Sequence, residues 1–221
     1  MVSLATFPHL DILPPAQQAL WGELNQIPDA FTLYGGTAIA LYLGHRESVD
    51  FDFFGFEDFD PDHLLATLPL LKYAEVIQRE HNTLTCNVKR DDWVQISFFG
   101  IPGVEKVCPP TLAEDIGLKI ASLIDLAGMK VSVVQKRAQI KDYIDIDALI
   151  STGITLPTAL TAGSIIYGNS FNPLITLKAL TWFNDGNLAN LPIATRTRLE
   201  AAVKAVDLSD LPDLSFMSRD H

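Results

Sequence analysis

Basic residues are in short supply. The 221-residue chain has 16 lysines and arginines against 27 aspartates and glutamates, a net charge of −11. That balance excludes a broad basic footprint for nucleic acid, though not a local basic groove, and it makes divalent cations natural partners for acidic clusters. Cysteine is scarcer still. Cys86 and Cys108, with no C-x-x-C spacing, exclude a disulfide framework and point to a reduced, cytoplasmic chain. His9, His45, His63, His81 and His221 never fall at ligand spacing, which argues against a histidine-based metal site. No apolar run approaches the roughly 18 residues of a membrane span. The opening MVSLATFPHLDILPP lacks the basic-then-apolar order of a secretory leader. No membrane partner is therefore expected. Apolar residues make up 48% and charged ones 19%, enough to build a core in one large domain or two small ones.

Strand and helix signals divide the chain. Residues 14–27 carry Leu20, Trp21, Leu24 and Ile27 at helical spacing, FTLY (31–34) reads as a buried strand, and Gly35–Gly36 interrupt it before a short helix over 36–44. VDFDFF (49–54) is the next strand. A helix over 60–71 starts with Asp60 as N-cap and Pro61 at its first position. Strands over 72–80, 82–90 and 92–100 follow, joined by tight links. A Pro/Gly loop over 101–111 precedes one further short strand at 117–121. From there the pattern is helical: a capping box SLID (122–125) opens a helix running to about Arg137, and helices are expected over 141–150, 156–168, 172–183 and 194–206. The tail from 207 to 221 is acidic and expected to fray. The expectation is a mixed sheet over 1–121 and a helical region over 122–221.

One stretch resists a packing explanation. In YGGTAIALYLGHRESVDFDFF (34–54), alternation along the strand puts Val49, Phe51 and Phe53 on one face and Asp50, Asp52 and Phe54 on the other. Two neighbouring carboxylates repel each other unless a cation intervenes. Mg²⁺ favours oxygen ligands and is often held by one or two carboxylates together with substrate phosphates. Upstream, Gly35 and Gly36 let the backbone turn sharply and approach a ligand closely. The helix that follows offers N–H groups and its positive dipole end to phosphate, and Thr37 adds a hydroxyl. Taken singly, a Gly-Gly pair is a turn and an Asp-x-Asp pair a solvated strand end. Together, one short helix apart, they describe a phosphate cradle beside a metal site, which nucleotidyl transfer requires.

GGT, twelve residues, then DFDFF resembles the first motif of minimal nucleotidyltransferases of the pol-β-like superfamily, and more narrowly the AbiEii/AbiGii toxin family of abortive-infection and type IV toxin–antitoxin systems. IASLIDLAGMKVSVVQKRAQIKDYIDIDALI (120–150) and FNPLITLKALTWFNDGN (171–187) are similar to later segments of that family. The resemblance implies an α+β fold, a pol-β-like mixed sheet with flanking helices followed by a helical part. It implies Asp50 and Asp52 as ligands of Mg²⁺ or Mn²⁺, the Gly36–Thr37 turn as triphosphate-binding, Lys130 as a nucleotide-phosphate contact and Asp142 as a further active-site acid. It also implies an NTP substrate, an acceptor such as the 3′ end of tRNA, and a cognate antitoxin.

The residues permit this and permit plainer readings. Lys130, Arg137 and Lys141 are spaced by seven and four, so a continuous helix would make them one basic stripe. Alternatively Lys130 snorkels, Arg137 closes a helix end, and Lys141 pairs with Asp145 on a solvated face. One departure stands out. Pol-β-like enzymes carry a third carboxylate on a neighbouring strand, and the matching positions of WVQISFF (93–99) hold Gln95 and Ser97. A transferase, a catalytically reduced nucleotide-binding module, and a small-molecule nucleotidyltransferase acting on an antibiotic hydroxyl are the competing functions.

Overall fold

FTLY forms a strand because four β-branched or apolar side chains in succession find cover on both faces: Phe31, Thr32, Leu33 and Tyr34 are all buried. This strand, β2 (Phe31–Tyr34), lies near the middle of the sheet in a computed structural model that describes residues 3–214. Among the described residues the chain divides into two compact units, one of residues 3–104 with 110–121, the other of 105–109 with 122–214.

In the first unit the other strands are β1 (Ser3–Ala5), β3 (Asp50–Gly55), β4 (Glu75–Glu80), β5 (Thr83–Lys89), β6 (Trp93–Gly100), β7 (Thr111–Ala113) and β8 (Lys119–Ile120). They join in the order β1-β7-β8-β2-β3-β6-β5-β4. The sheet is mixed: β1 with β7, β2 with β8 and β3 with β6 are parallel, the remaining neighbours antiparallel. Helices α1 (Pro15–Trp21), α2 (Gly35–Leu43) and α3 (Pro61–Thr67) belong to the same unit. Its core takes one face of the central strands. Phe51, Phe53, Ile96 and Phe98 are fully buried, with the Phe53 and Phe98 rings stacked at 5.3 Å between centroids.

Two helices of this unit are shorter than their patterns. Helix α1 tightens into a 3₁₀ turn over Gly22–Gln26. Helix α3 begins as read, with the Asp60 carboxylate accepting from Asp62 N, but stops at Thr67. Pro69 holds Leu68 extended (φ −83°, ψ 110°), and a 3₁₀ turn over Pro69–Leu71 follows. Strands β1 and β7 lie outside the sequence reading; each is three residues long, and β7 joins the distant β1 to the nearby β8.

The second unit holds α4 (Leu123–Val133), α5 (Ile140–Ser151), α6 (Leu156–Tyr167), α7 (Pro173–Ala179) and α8 (Ile193–Lys204). Ser122 caps α4 as the capping box predicts, its hydroxyl accepting from Asp125 N at 3.0 Å. The helix ends at Val133, four residues before the expected Arg137, and the chain turns before α5. Lys130, Arg137 and Lys141 therefore do not share a continuous helix. Helices α4 and α6 approach closely at Gly128: a Cβ there would lie 2.9 Å from the Cβ of Ala162. Arg198 of α8 is tied to Asp147 of α5 through Nε at 2.7 Å and Nη2 at 2.5 Å, with the Thr195 hydroxyl donating to the same carboxylate at 2.9 Å. The acidic tail expected to fray extends to residue 221, and its part beyond Leu214 lies outside the described residues.

Candidate active site

Strand β3 presents its carboxylates as its alternation requires. Phe51 and Phe53 are buried while Asp50, Asp52 and Phe54 are half-buried on the opposite face. Tyr34 is the register partner of Asp52 across β2, and the next residue, Gly35, opens α2. Gly35 has φ +75°, a conformation that side chains resist, and a Cβ there would lie 2.6 Å from Asp52 Oδ2. The glycine turn and the carboxylate thus pack directly against one another. Tyr34, the residue before α2, makes no side-chain cap, and the first N–H groups of a helix have no intrahelical partner and favour an anion.

Three side chains shape the turn. Thr37 is buried and its hydroxyl donates to the carbonyl oxygen of Asp50, fixing α2 against β3. A Cβ on Gly36 would collide with the Arg46 guanidinium and come within 3.3 Å of Ser48 Oγ. Ser48 Oγ in turn lies 3.4 Å from Asp50 Oδ1. Sequence reasoning passed over Arg46 and Ser48. Their signal was a cation and a hydroxyl in the short HRES link between the glycine turn and the carboxylate strand, which has no periodicity to mark it.

The register of β6 settles which residues flank the pair. Gln95 is the partner of Asp50 and Ser97 the partner of Asp52. Ser97 is buried, within 3.4 Å of the Thr85 hydroxyl on β5. Among the described residues no group of three or more His, Cys, Asp or Glu side chains is arranged to hold a metal. What Asp50 and Asp52 supply is a two-carboxylate donor set beside an anion-ready helix terminus. That set fits a hard divalent cation whose remaining ligands are phosphate oxygens and water.

In the second unit the sequence-predicted residues form a buried charge cluster. Lys130 Nζ lies 2.8 Å from Asp142 Oδ1 and 2.8 Å from Asp145 Oδ2, both carboxylates being fully buried. Arg137 Nε reaches Asp142 Oδ2 at 2.8 Å, and its Nη2 reaches Oδ1 at 3.0 Å. Burial alone would raise the Asp142 pKa. The Arg137 and Lys130 contacts outweigh it, and the net shift is downward. Asp145 therefore pairs with Lys130 rather than with Lys141, which is exposed. The reason is tertiary: α4 delivers an ammonium to the buried face of α5, and a buried carboxylate needs that charge more than an exposed lysine needs a partner.

The sequence model described as "Nucleotidyl transferase AbiEii toxin, Type IV TA system" matches residues 18–207. The chain belongs to that family. A curated relative, an uncharacterized protein of Aquifex aeolicus (strain VF5), is 33% identical over 120 residues, 52% of this chain and 55% of that protein. The match thus spans about half the relative's length. Among solved structures, MenT4, a nucleotidyltransferase toxin of Mycobacterium tuberculosis, superposes with a TM-score of 0.60 at 15% identity, covering 87% of this chain and 83% of that one. A candidate nucleotidyltransferase from H. pylori gives 0.54 at 15% identity, covering 90% and 95%. At such identities the likeness shows the fold: a mixed sheet with helices in the nucleotidyltransferase arrangement. Among the described residues no single helix is long and apolar enough to cross a membrane.

Proposed function

We propose that this AbiEii-family chain transfers a nucleoside monophosphate from an NTP to an acceptor hydroxyl, with the 3′ end of an RNA, tRNA in particular, as acceptor and growth arrest as outcome. The observation that carries this reading is the packing of Asp52 Oδ2 against Gly35, which joins the carboxylate pair to the phosphate-ready end of α2. Residues 1–121 form the transferase core in this reading and 122–221 the helical region. The cell would keep the toxin in check with a cognate antitoxin.

Each residue has a task. Gly35 and Gly36 let the triphosphate approach the backbone, the leading N–H groups of α2 accept its charge, and Arg46 adds a cation over the turn. Thr37 and Ser48 hold Asp50 and the turn in position. Asp50 and Asp52 hold Mg²⁺ or Mn²⁺, which supplies charge neutralisation at the reacting phosphate. The acceptor oxygen forms a bond to the α-phosphorus as the bond from that phosphorus to the bridging oxygen breaks. The hydroxyl proton passes to a carboxylate of the pair, and pyrophosphate leaves. Lys130, Arg137 and Lys141, the nucleotide-phosphate contacts that the family resemblance implies, lie in the second unit, where Asp142 orients Lys130 and Arg137.

The test uses purified protein, Mg²⁺, total bacterial RNA and each α-labelled NTP in turn, with Asp52→Ala as control. Label in a tRNA-sized band, lost in the variant, supports the reading and names the base transferred. A second reading rests on Gln95 and Ser97 standing beside Asp50 and Asp52, where a third carboxylate would complete a two-metal site. On that reading the chain binds nucleotide with little or no transfer. Nucleotide-induced thermal stabilisation without labelled RNA would favour it.

A further inference from the structure

Beyond the carboxylates, the same sheet face carries a second constellation. In β6, Val94, Ile96 and Phe98 point into the core, so Trp93, Gln95, Ser97 and Phe99 share the face of Asp50 and Asp52. In β5, Leu84, Cys86 and Val88 are buried, so Asn87 and Lys89 share that face too. The register stacks these in rows: Asn87, Gln95 and Asp50 in one, Lys89 and Trp93 in the next. Trp93 is 50% exposed, a large indole left in solvent on a rigid strand, and Lys89 Nζ stands 5.3 Å from its ring centroid. Two residues of strand separate its row from that of Asp50, about 7 Å.

The geometry points to a base-stacking platform: Trp93 takes the face of the acceptor RNA's unpaired 3′-terminal base, and Gln95 and Asn87 take its polar edge, which brings the terminal ribose to the Asp50 row. This rests on the transferase reading. Aromatic side chains stack on single-stranded bases whatever their identity, and side-chain amides hydrogen-bond base edges. Charge favours a base over a phosphate chain here. Arg90 is held by Glu23 through two contacts at 2.6 Å, and Lys89 lies 3.8 Å from Asp92. Lys89, Arg90, Asp91 and Asp92 sum to zero. A neutral corner in a chain of net charge −11 suits one neutral base better than a track of phosphates. The NTP is drawn elsewhere, by the glycine turn and Arg46.

The test measures binding by the full chain, apart from turnover. A 5′-fluorescein single-stranded oligoribonucleotide of eight nucleotides is titrated against wild type, Trp93→Ala and Trp93→Phe, and again with an oligonucleotide abasic at its 3′ end. Trp93→Ala weakens the intact oligonucleotide roughly ten- to hundred-fold. Trp93→Phe recovers most of the loss. The abasic end weakens wild type by at least that factor and costs Trp93→Ala much less, because the stacking contact is already gone there and only the Gln95 and Asn87 edge contacts are left to lose. NTP-induced thermal stabilisation is unchanged, and the salt dependence of oligonucleotide binding is shallow. The platform is overturned if wild type does not bind the oligonucleotide, if Trp93→Ala binds it equally well, or if the variant loses NTP and keeps RNA, which would make Trp93 a site for the NTP base. Absence of transfer with RNA binding intact and Trp93-dependent would instead remove the transferase reading and leave an RNA-binding platform.

Discussion

Gly35 and Asp52 occupy one space: a β-carbon on the glycine would stand 2.6 Å from the carboxylate's Oδ2. The residues are neighbours because β2 and β3 pair with Tyr34 opposite Asp52, and the chain leaves β2 into α2 at the very next residue. The end of α2 proposed to hold phosphate and the strand proposed to hold metal are thereby joined without an intervening side chain.

Gly35→Ala should therefore cost function beyond its cost in stability. Placing a β-carbon at φ +75° costs roughly 1–2 kcal/mol, a loss of a few degrees in Tm for a chain of this size. Asp52 must also move. The expected result is a folded protein whose NTP-induced thermal stabilisation in Mg²⁺ is abolished. Retained stabilisation would separate the glycine from nucleotide binding.

Asp52→Ala removes half the donor set while leaving Phe51 and Phe53 in the core. It should abolish labelled-nucleotide transfer and relieve toxicity on expression, with Tm within a few degrees of wild type. Toxicity that survives the change would mean the carboxylate pair is not its source.

Much of this site was legible because alternation is a local property. VDFDFF declares its two faces on its own, and Gly-Gly after FTLY declares a turn. The parts that escaped depend on distant partners. Strand β1 exists through its pairing with the distant β7, and β7 through β1 and β8, while three residues such as SLA or TLA carry no pattern. The end of α4 escaped because GMKVSVVQKR is helix-compatible throughout, while the turn after Val133 precedes the Arg137 contact to Asp142. Arg46 escaped because a lone arginine in a loop has no period; only the fold shows it over Gly36.

The buried cluster in the second unit has a defined pH response. Arg137 and Lys130 hold the Asp142 pKa below its ordinary value despite burial. A carboxylate whose folded pKa lies below its unfolded one contributes stability that is full above the unfolded value, about 3.9, and is lost as pH falls through the folded value. Asp142→Asn removes the buried charge that Lys130 and Arg137 both contact. It should cost about 3 kcal/mol at pH 7. It should also flatten the acid limb of the stability profile below the unfolded value. Denaturant titrations across that range check both.

Asp125 has the opposite sign. It accepts from Val107 N and Cys108 N at 2.9 Å each and from the Ser122 hydroxyl at 2.6 Å, yet burial is the larger effect and pushes its pKa up. A raised carboxylate makes folding less favourable as pH climbs through its folded value. Asp125→Ala should cost roughly 1–3 kcal/mol through the donors it leaves unmet. Asp125→Asn keeps one acceptor oxygen and sheds the buried charge, so it should cost less than the alanine at pH 7. Urea midpoints of the two variants decide it.

Gln95→Glu tests the flank of the carboxylate pair itself. Gln95 is exposed and is Asp50's register partner on a parallel strand, so the glutamate's added charge costs little desolvation and falls beside an existing donor. Without a cation, a third carboxylate there repels the other two; with one, it adds a ligand. The expected outcome is a slightly lower Tm in EDTA and tighter Mn²⁺ binding by calorimetry, by several-fold. The gain should vanish in Gln95→Glu/Asp50→Asn, because the new ligand acts only together with its neighbour. Unchanged Mn²⁺ affinity in Gln95→Glu would mean that the cation sits nearer Asp52 and Gly35 than Asp50, and that Ser97, not Gln95, flanks the reacting phosphate.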